Sequence, residues 1–324
     1  MSDTRFGRAI TRALNDAMEA DPSVIVMGED IGAVGGPFGV TRGLQKSFGA
    51  DRVRDTPISE AAIVGAAVGA AMTGLKPVVE IMFMDFTTFT MDALVNQAAK
   101  AHFMFGGQVS VPMVLRTPHG GGINAGPQHS QCLEAWFAHV PGLKVVCPSN
   151  PADAYGLMRA AIEDPDPVIF VENKAMYGAP GPLPDEPEPV EIGKARRMRA
   201  GSDVTLVAYG AMVSEAAAAA DILSAEGVEA EILDLRSLQP WDKDQVLASL
   251  SETHRMVIVH EAGVEFGIGA EIAAHVVDAG FDELDAPVLR VGAPHMPVPF
   301  SRDLEAEYRP NSNKIADAVR RVMQ

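Results

Sequence analysis

At 324 residues, the chain is long enough for two domains of roughly 150 residues, each with its own core. Hydrophobic residues make up 47% and charged residues 21%, and 43 acidic against 26 basic side chains leave a net charge of −17, a field that repels nucleic-acid backbones and anionic lipid. The longest charge-free apolar stretch, Ala61 to Leu75, falls short of the roughly 20 residues that span a bilayer, so a soluble globular protein with neither nucleic acid nor membrane as partner is expected.

Phe6, Ile10, Leu14 and Met18 recur every four positions and predict an amphipathic helix over 5–20, ended by Asp21-Pro22. The residues before it lack the basic and then apolar pattern of an export signal, and Cys132 and Cys147 form no CxxC pair, so a reducing cytoplasm is the expected compartment. Short apolar strands are predicted at 24–27, 53–55, 77–82, 112–117, 143–147 and 168–171. Helices are predicted at 60–73, 88–103, 131–139 and 152–162. This alternation implies a mainly parallel sheet covered by helices on both faces. From Pro180 to Pro189 five prolines and three acids occur in ten residues, which continue neither a helix nor a central strand. The domain boundary is therefore placed there, giving domains 1–190 and 191–324. In the second, strands at 204–209, 229–233, 256–260 and 288–291 alternate with helices at 214–226, 269–279 and 313–323, again α/β.

Ligands of open parallel sheets gather beyond the carboxyl ends of strands, which directs attention to 27–30, 55–60 and 117–131. Glu60 opens a helix whose next residues, Ala61-Ala62-Ile63-Val64-Gly65-Ala66-Ala67-Val68, are all small or apolar. It reads either as a first-turn glutamate behind a Ser59 N-cap or as a carboxyl drawn into a dry site. Glu29 ends a strand of the same sheet, so two carboxyls can meet and push their proton affinities apart. Phe86, with Met82, Phe83 and Phe89, reads as core packing. His129 follows the glycine-rich run Gly120 to Gly126, a loop able to approach a ligand closely. Other signals fail: Cys132 three residues beyond His129 makes no activated thiol, and Phe266-Gly267-Ile268-Gly269-Ala270-Glu271 leads to Ile272 where a dinucleotide fingerprint needs its third glycine or alanine. The sequence holds no P-loop and no His/Cys cluster of transition-metal spacing.

Six segments together carry a resemblance. Gly28-Glu29-Asp30, Asp55-Thr56-Pro57-Ile58-Ser59-Glu60, Met82-Phe83-Met84-Asp85-Phe86, Gln128-His129-Ser130-Gln131, Pro141-Gly142-Leu143-Lys144-Val145-Val146 and Asp234-Leu235-Arg236-Ser237-Leu238-Gln239-Pro240-Trp241-Asp242 resemble the beta subunit of the thiamin-diphosphate-dependent component of 2-oxo acid dehydrogenase complexes, along essentially the whole chain. The resemblance implies a pyrimidine-binding domain followed by a transketolase C-terminal-like domain. It makes Glu60 the carboxyl on N1′ of the cofactor's aminopyrimidine, which promotes loss of the C2 proton of the thiazolium. Glu29 becomes a second acid associated with proton communication, Phe86 the aromatic against the aminopyrimidine, Ile58 a neighbour of the same ring, and His129 a residue of the active-site channel that assists proton transfer or acyl transfer to lipoamide. A structural K+ site falls at Ala161, Ile162, Asp164 and Asp166, where Pro165 and Asp166 depart from the usual residues.

The implied reaction is decarboxylation of pyruvate with reductive acylation of lipoamide. Acetoin cleavage is the alternative, because Ala293-Pro294-His295-Met296-Pro297-Val298-Pro299-Phe300-Ser301 and Phe103-Met104-Phe105-Gly106-Gly107 resemble acetoin-dehydrogenase beta chains as well; branched-chain 2-oxo acids come third. No Gly-Asp-Gly occurs in the sequence, so the diphosphate half of the site is expected from elsewhere; the resemblance implies a separate alpha chain carrying the Mg2+ and diphosphate ligands, in an α2β2 tetramer that docks onto a lipoyl acyltransferase core. Two readings of other classes compete: a nicotinamide-linked dehydrogenase, disfavoured by the missing fingerprint, and a non-catalytic scaffold, disfavoured by the presence of Glu60, Phe86 and His129.

Overall fold

The computed structural model of the chain describes residues 2–324, which form two compact units, one running to His119 and resuming over Trp136–Ile192, the other comprising Gly120–Ala135 and Gly193–Gln324. Both are α/β, built on mainly parallel sheets.

In the first unit, strand β1 (Ser2–Arg5) leads into helix α1 (Phe6–Ala20), whose Phe6, Ile10, Leu14 and Met18 are all buried, as their spacing requires. Strands β2 (Val24–Gly28), β3 (Val53–Asp55), β4 (Lys76–Glu80), β5 (Val114–His119), β6 (Lys144–Val146) and β7 (Val168–Asn173) follow. They lie in the order β6-β7-β5-β4-β2-β3, and every pair is parallel. Helices α2 (Leu44–Phe48), α3 (Glu60–Met72), α4 (Ala99–Met104), α5 (Glu134–Ala138) and α6 (Pro151–Glu163) connect them. Asn150 caps α6, its side chain accepting from the Asp153 N–H at 3.0 Å, with Pro151 inside the first turn. The proline-rich segment opens with β8 (Pro180–Leu183), which pairs antiparallel with β1 in a two-stranded ribbon, a position where missing N–H groups leave no ladder of a central sheet broken.

The second unit contains β9 (Arg196–Arg199), β10 (Val204–Ala208), α7 (Met212–Ser224), β11 (Ala230–Asp234), β12 (Ser237–Gln239), α8 (Lys243–Thr253), β13 (Met256–Gly263), α9 (Ile268–Ala279), β14 (Leu289–Ala293), α10 (Arg302–Tyr308) and α11 (Ser312–Val322). Its sheet has the order β14-β13-β10-β11-β9. Only β9 runs antiparallel to its neighbour there.

Three local expectations are corrected. The helix predicted over 88–103 is a 3₁₀ stretch (Met84–Thr90), a π stretch (Asp92–Ala98) and then α4. Threonine hydroxyls tighten the first part, Thr87 and Thr90 donating to the carbonyls of Met84 and Thr87 at 2.5 and 2.7 Å. The helix predicted over 131–139 shrinks to α5. Ser59 stands at the N-cap of α3 but its side chain caps nothing; the helix begins on the Ile63 N–H to Ser59 carbonyl bond. No helix of the described residues is long and apolar enough to cross a membrane.

Candidate functional site at the carboxyl edge of the first sheet

The chain places β3 on one side of β2 and then crosses to place β4 on the other. Such a reversal opens a crevice at the carboxyl ends of those strands. Glu29 directly follows β2, Ile58 and Glu60 follow β3, and Phe86 follows β4. The Thr56 N–H donates to the Gly28 carbonyl at 3.0 Å, which ties the segment before Glu60 to the end of β2.

Glu29 is buried. Burial, then the facing Glu60 carboxylate, then Asp30 raise its proton affinity above the ordinary value of 4.5. The charge of Glu60 thus acts on Glu29 from the end of the neighbouring strand. Glu60 sits in the first turn of α3, where the helix dipole favours an anion. Its expected dry surroundings are corrected: the side chain is half-buried, Ala61, Ala62 and Ala66 are exposed, and Ile58 is 84% exposed. Helix α3 is apolar on all sides, and the neighbours it has in this chain cover only one of them.

Phe86 is half-buried and meets Phe83 edge-on, with ring centroids 5.7 Å apart. Phe83 in turn meets Phe38 edge-on at 5.9 Å, and Phe38 stacks on Tyr177 at 4.7 Å. The Tyr177 hydroxyl donates to Glu172 Oε2 at 2.6 Å. Glu172 belongs to an ion network that sequence reasoning missed. Arg116 Nε and Nη2 donate to the two Glu172 oxygens at 2.7 and 2.9 Å, while Nη1 donates to Glu80 Oε2 at 2.6 Å. All three side chains are buried. Burial opposes the Arg116 charge, but the facing Glu172 and Glu80 carboxylates outweigh it and raise its proton affinity. The available signal was a charged residue within or at the carboxyl end of each of three apolar strands, Glu80 in β4, Arg116 in β5 and Glu172 in β7.

His129 lies in the second unit, half-buried. Its loop is closed at the neck by the Gly120 N–H on the Gln131 carbonyl at 3.4 Å, and the His129 N–H donates to the Gly126 carbonyl at 3.3 Å. The residues of the implied cation site lie at the carboxyl end of α6. Ala161 and Ile162 are in its last turn, where carbonyls have no intrahelical partner. The Asp164 carboxylate is engaged by Lys144 Nζ at 2.7 and 2.8 Å, and Asp166 by the same ammonium at 3.1 Å. The fingerprint-like glycines have a packing explanation: a Cβ on Gly267 or Gly269 would come within 2.8 or 2.6 Å of the buried His260 ring.

Residues 3–180 match the family model described as transketolase, pyrimidine binding domain, and residues 193–315 the one described as transketolase, C-terminal domain. The chain is 47% identical to the mitochondrial pyruvate dehydrogenase E1 component subunit beta-2 of Oryza sativa subsp. japonica, over 97% of this chain and 85% of that one. It is 48% identical to the acetoin:2,6-dichlorophenolindophenol oxidoreductase subunit beta of Bacillus subtilis, over 96% and 94% respectively. A solved structure described as a split gene transketolase, inactive beta4 tetramer, superimposes with a TM-score of 0.79 at 23% identity, covering 97% of this chain and 96% of that one, a likeness of fold.

Proposed function

This chain belongs to the family of pyruvate dehydrogenase E1 and acetoin oxidoreductase beta subunits with transketolase pyrimidine-binding and C-terminal domains, and from that premise we propose that it is the beta subunit of a thiamin-diphosphate-dependent dehydrogenase that decarboxylates pyruvate and passes the acyl group to lipoamide. The observation that carries this reading is the placement of Glu29, Glu60 and Phe86 after the three strands that flank the switch point of the first sheet, with the charge of Glu60 raising the proton affinity of Glu29. In this reading 1–190 is the pyrimidine-binding domain and 191–324 the C-terminal domain.

The residues suit an aminopyrimidine, which needs a carboxyl for N1′ and a flat apolar surface; half-buried Glu60 and Phe86, with Ile58 exposed beside them, are of those types. Bound there, thiamin diphosphate supplies the carbon nucleophile and electron sink for decarboxylation. Glu60 holds the proton at N1′, and Glu29, whose proton affinity is raised, is the second acid beside it in this reading. Phe86 orients the ring, backed by Phe83 and Phe38. His129 serves acyl transfer as a proton donor or acceptor.

We assign Mg2+ and the diphosphate to an alpha chain, in an α2β2 assembly that docks on a lipoyl acyltransferase core in the cytoplasm, a compartment that suits Cys132 and Cys147 as thiols outside any disulfide. K+, where used, would take main-chain carbonyls of Ala161, Ile162, Asp164 and Asp166, whose carboxylates already serve Lys144. Acetoin is the second substrate reading, because identity to an acetoin relative equals that to a pyruvate one within one percentage point.

The test is Glu60→Gln in the assembled tetramer. Exchange of the cofactor's C2 proton should fall by about 100-fold or more while the tetramer still forms, and parallel assays on pyruvate and acetoin assign the substrate. Near-normal exchange would remove Glu60 from this role.

A further inference from the structure

The loop that carries His129 is rich in glycine, yet the second unit holds it at three points. At the first, the Gly121 N–H donates to Glu261 Oε1 at 2.7 Å, and that carboxylate is itself held by Arg309 Nε at 2.8 Å. At the second, Glu305 Oε2 accepts from both the backbone N–H and the side-chain Nδ2 of Asn124, at 3.1 and 2.9 Å. Asn124 is left-handed there, with φ of 59°, so its side chain and N–H reach the same oxygen from one turn. At the third, the Phe300 ring lies against Gly126, where a Cβ would stand 2.2 Å from a ring carbon.

Glu305 is the unusual member. It belongs to the short helix α10, it is 2% exposed, and its other oxygen, Oε1, has no hydrogen-bond partner among the described residues. Oε1 lies over Gly121, 2.9 Å from where a Cβ would be. Burying a carboxyl is costly unless its bonds return the loss, and the hydrogen bonds seen on this one all come from Asn124 in the loop of His129.

We propose that Glu305 is a positioning residue for His129. Through Asn124 it fixes the Gly120 to Gln131 loop, and the fixed loop sets where the imidazole stands during acyl transfer to lipoamide. The role assigned to His129 under the proposed function is the premise. A loop freed from this hold samples many conformations, and displacement of a reacting group by about 1 Å costs up to 100-fold in rate.

The experiment uses the tetramer assembled with its alpha chain and compares wild type, Glu305→Ala, Glu305→Gln, Asn124→Gly and the Glu305→Ala/Asn124→Gly double variant. Glutamine keeps an oxygen for both Asn124 bonds; glycine keeps the left-handed backbone and deletes the Nδ2 bond. Two quantities are read: backbone amide exchange of 120–131, and the ratio of lipoamide-linked turnover to turnover with 2,6-dichlorophenolindophenol as acceptor. Glu305→Ala should speed amide exchange in the loop and lower the ratio about tenfold or more. Glu305→Gln should restore both to within about threefold of wild type, and the double variant should lose no more than Glu305→Ala. Unchanged exchange in Glu305→Ala overturns the clamp whatever the enzyme turns over. Raised exchange with a wild-type ratio, or a Glu305→Gln as impaired as Glu305→Ala, overturns the positioning of His129. A wild-type tetramer that turns over neither pyruvate nor acetoin overturns the premise, and with it the role for His129, on the wild-type assay alone.

Discussion

Glu29 keeps its proton more tightly than an ordinary glutamate because burial, Glu60 and Asp30 all oppose its charge. The folded value therefore lies above the unfolded 4.5, and ionisation of Glu29 works against the fold. Below pH 4.5 the group is protonated in both states and costs nothing. As pH rises from 4.5 through the raised folded value, that stability is lost. Glu29→Gln should accordingly raise the melting temperature at pH 7.5 and leave it near wild type at pH 4, read by calorimetry on the same preparation. An equal gain at both pH values would mean that packing, not charge, is what glutamine improves. That Glu29 and Glu60 follow the ends of neighbouring strands was legible in the sequence because the apolar runs before them read as strands. The exposure of Ala61, Ala62 and Ala66 beyond Glu60 was not, because an apolar stretch such as Ala61 to Val68 reads the same whether this chain or another covers it.

The ion network shows how elements combine what single segments conceal. Glu80, Arg116 and Glu172 are each a buried charge in a mainly apolar strand. Register alone sets Glu80 opposite Arg116, and Pro118 of the same strand opposite Glu172, so that one guanidinium joins three neighbouring strands, β4, β5 and β7. The aromatic series Tyr177, Phe38, Phe83 and Phe86 leads from this network to the site. Arg116→Met leaves two buried carboxylates facing each other and should cost about 3–5 kcal/mol in denaturant unfolding. Adding Glu80→Gln and Glu172→Gln should return most of that loss, since the penalty comes from uncompensated charge. A triple variant no better than Arg116→Met would assign the cost to lost packing. The helix predicted over 88–103 fails for a different reason: its apolar spacing fits a helix, but Thr87, Thr88 and Thr90 bond to carbonyls three residues back and hold the first part in a 3₁₀ turn. Helix α8 was overlooked although Asp242 accepts from the Gln245 N–H at its start and Val246 and Leu250 are buried along one face.

For the chain as a whole, composition separates what it carries from what it lacks. In the proposed reading Glu29, Glu60 and Phe86 serve the pyrimidine end of the cofactor, and Gly28-Glu29-Asp30 is the chain's nearest approach to the Gly-Asp-Gly by which such enzymes are expected to hold Mg2+ and diphosphate. Around the first unit, Ile58, Phe89, Phe103 and Met104 are 84%, 67%, 89% and 71% exposed, and one side of α3 adds Ala61, Ala62, Ala66 and Met72. Apolar side chains exposed together on this scale mark protein interfaces. Both facts lead to one expectation, that the purified chain binds thiamin diphosphate with Mg2+ only when the alpha chain is present. Titration of the chain alone should give no saturable binding at micromolar cofactor and no decarboxylation of pyruvate or acetoin. Mixing with the alpha chain should restore both and reduce binding of an apolar fluorescent dye as the exposed residues are covered. If cofactor binds tightly and turns over with the chain alone, the diphosphate and its metal are held by residues of this sequence that lack the expected motif, and the need for a partner is withdrawn. If binding appears with the alpha chain while dye fluorescence stays high, the alpha chain completes the site without covering the apolar face, and that face belongs to another contact.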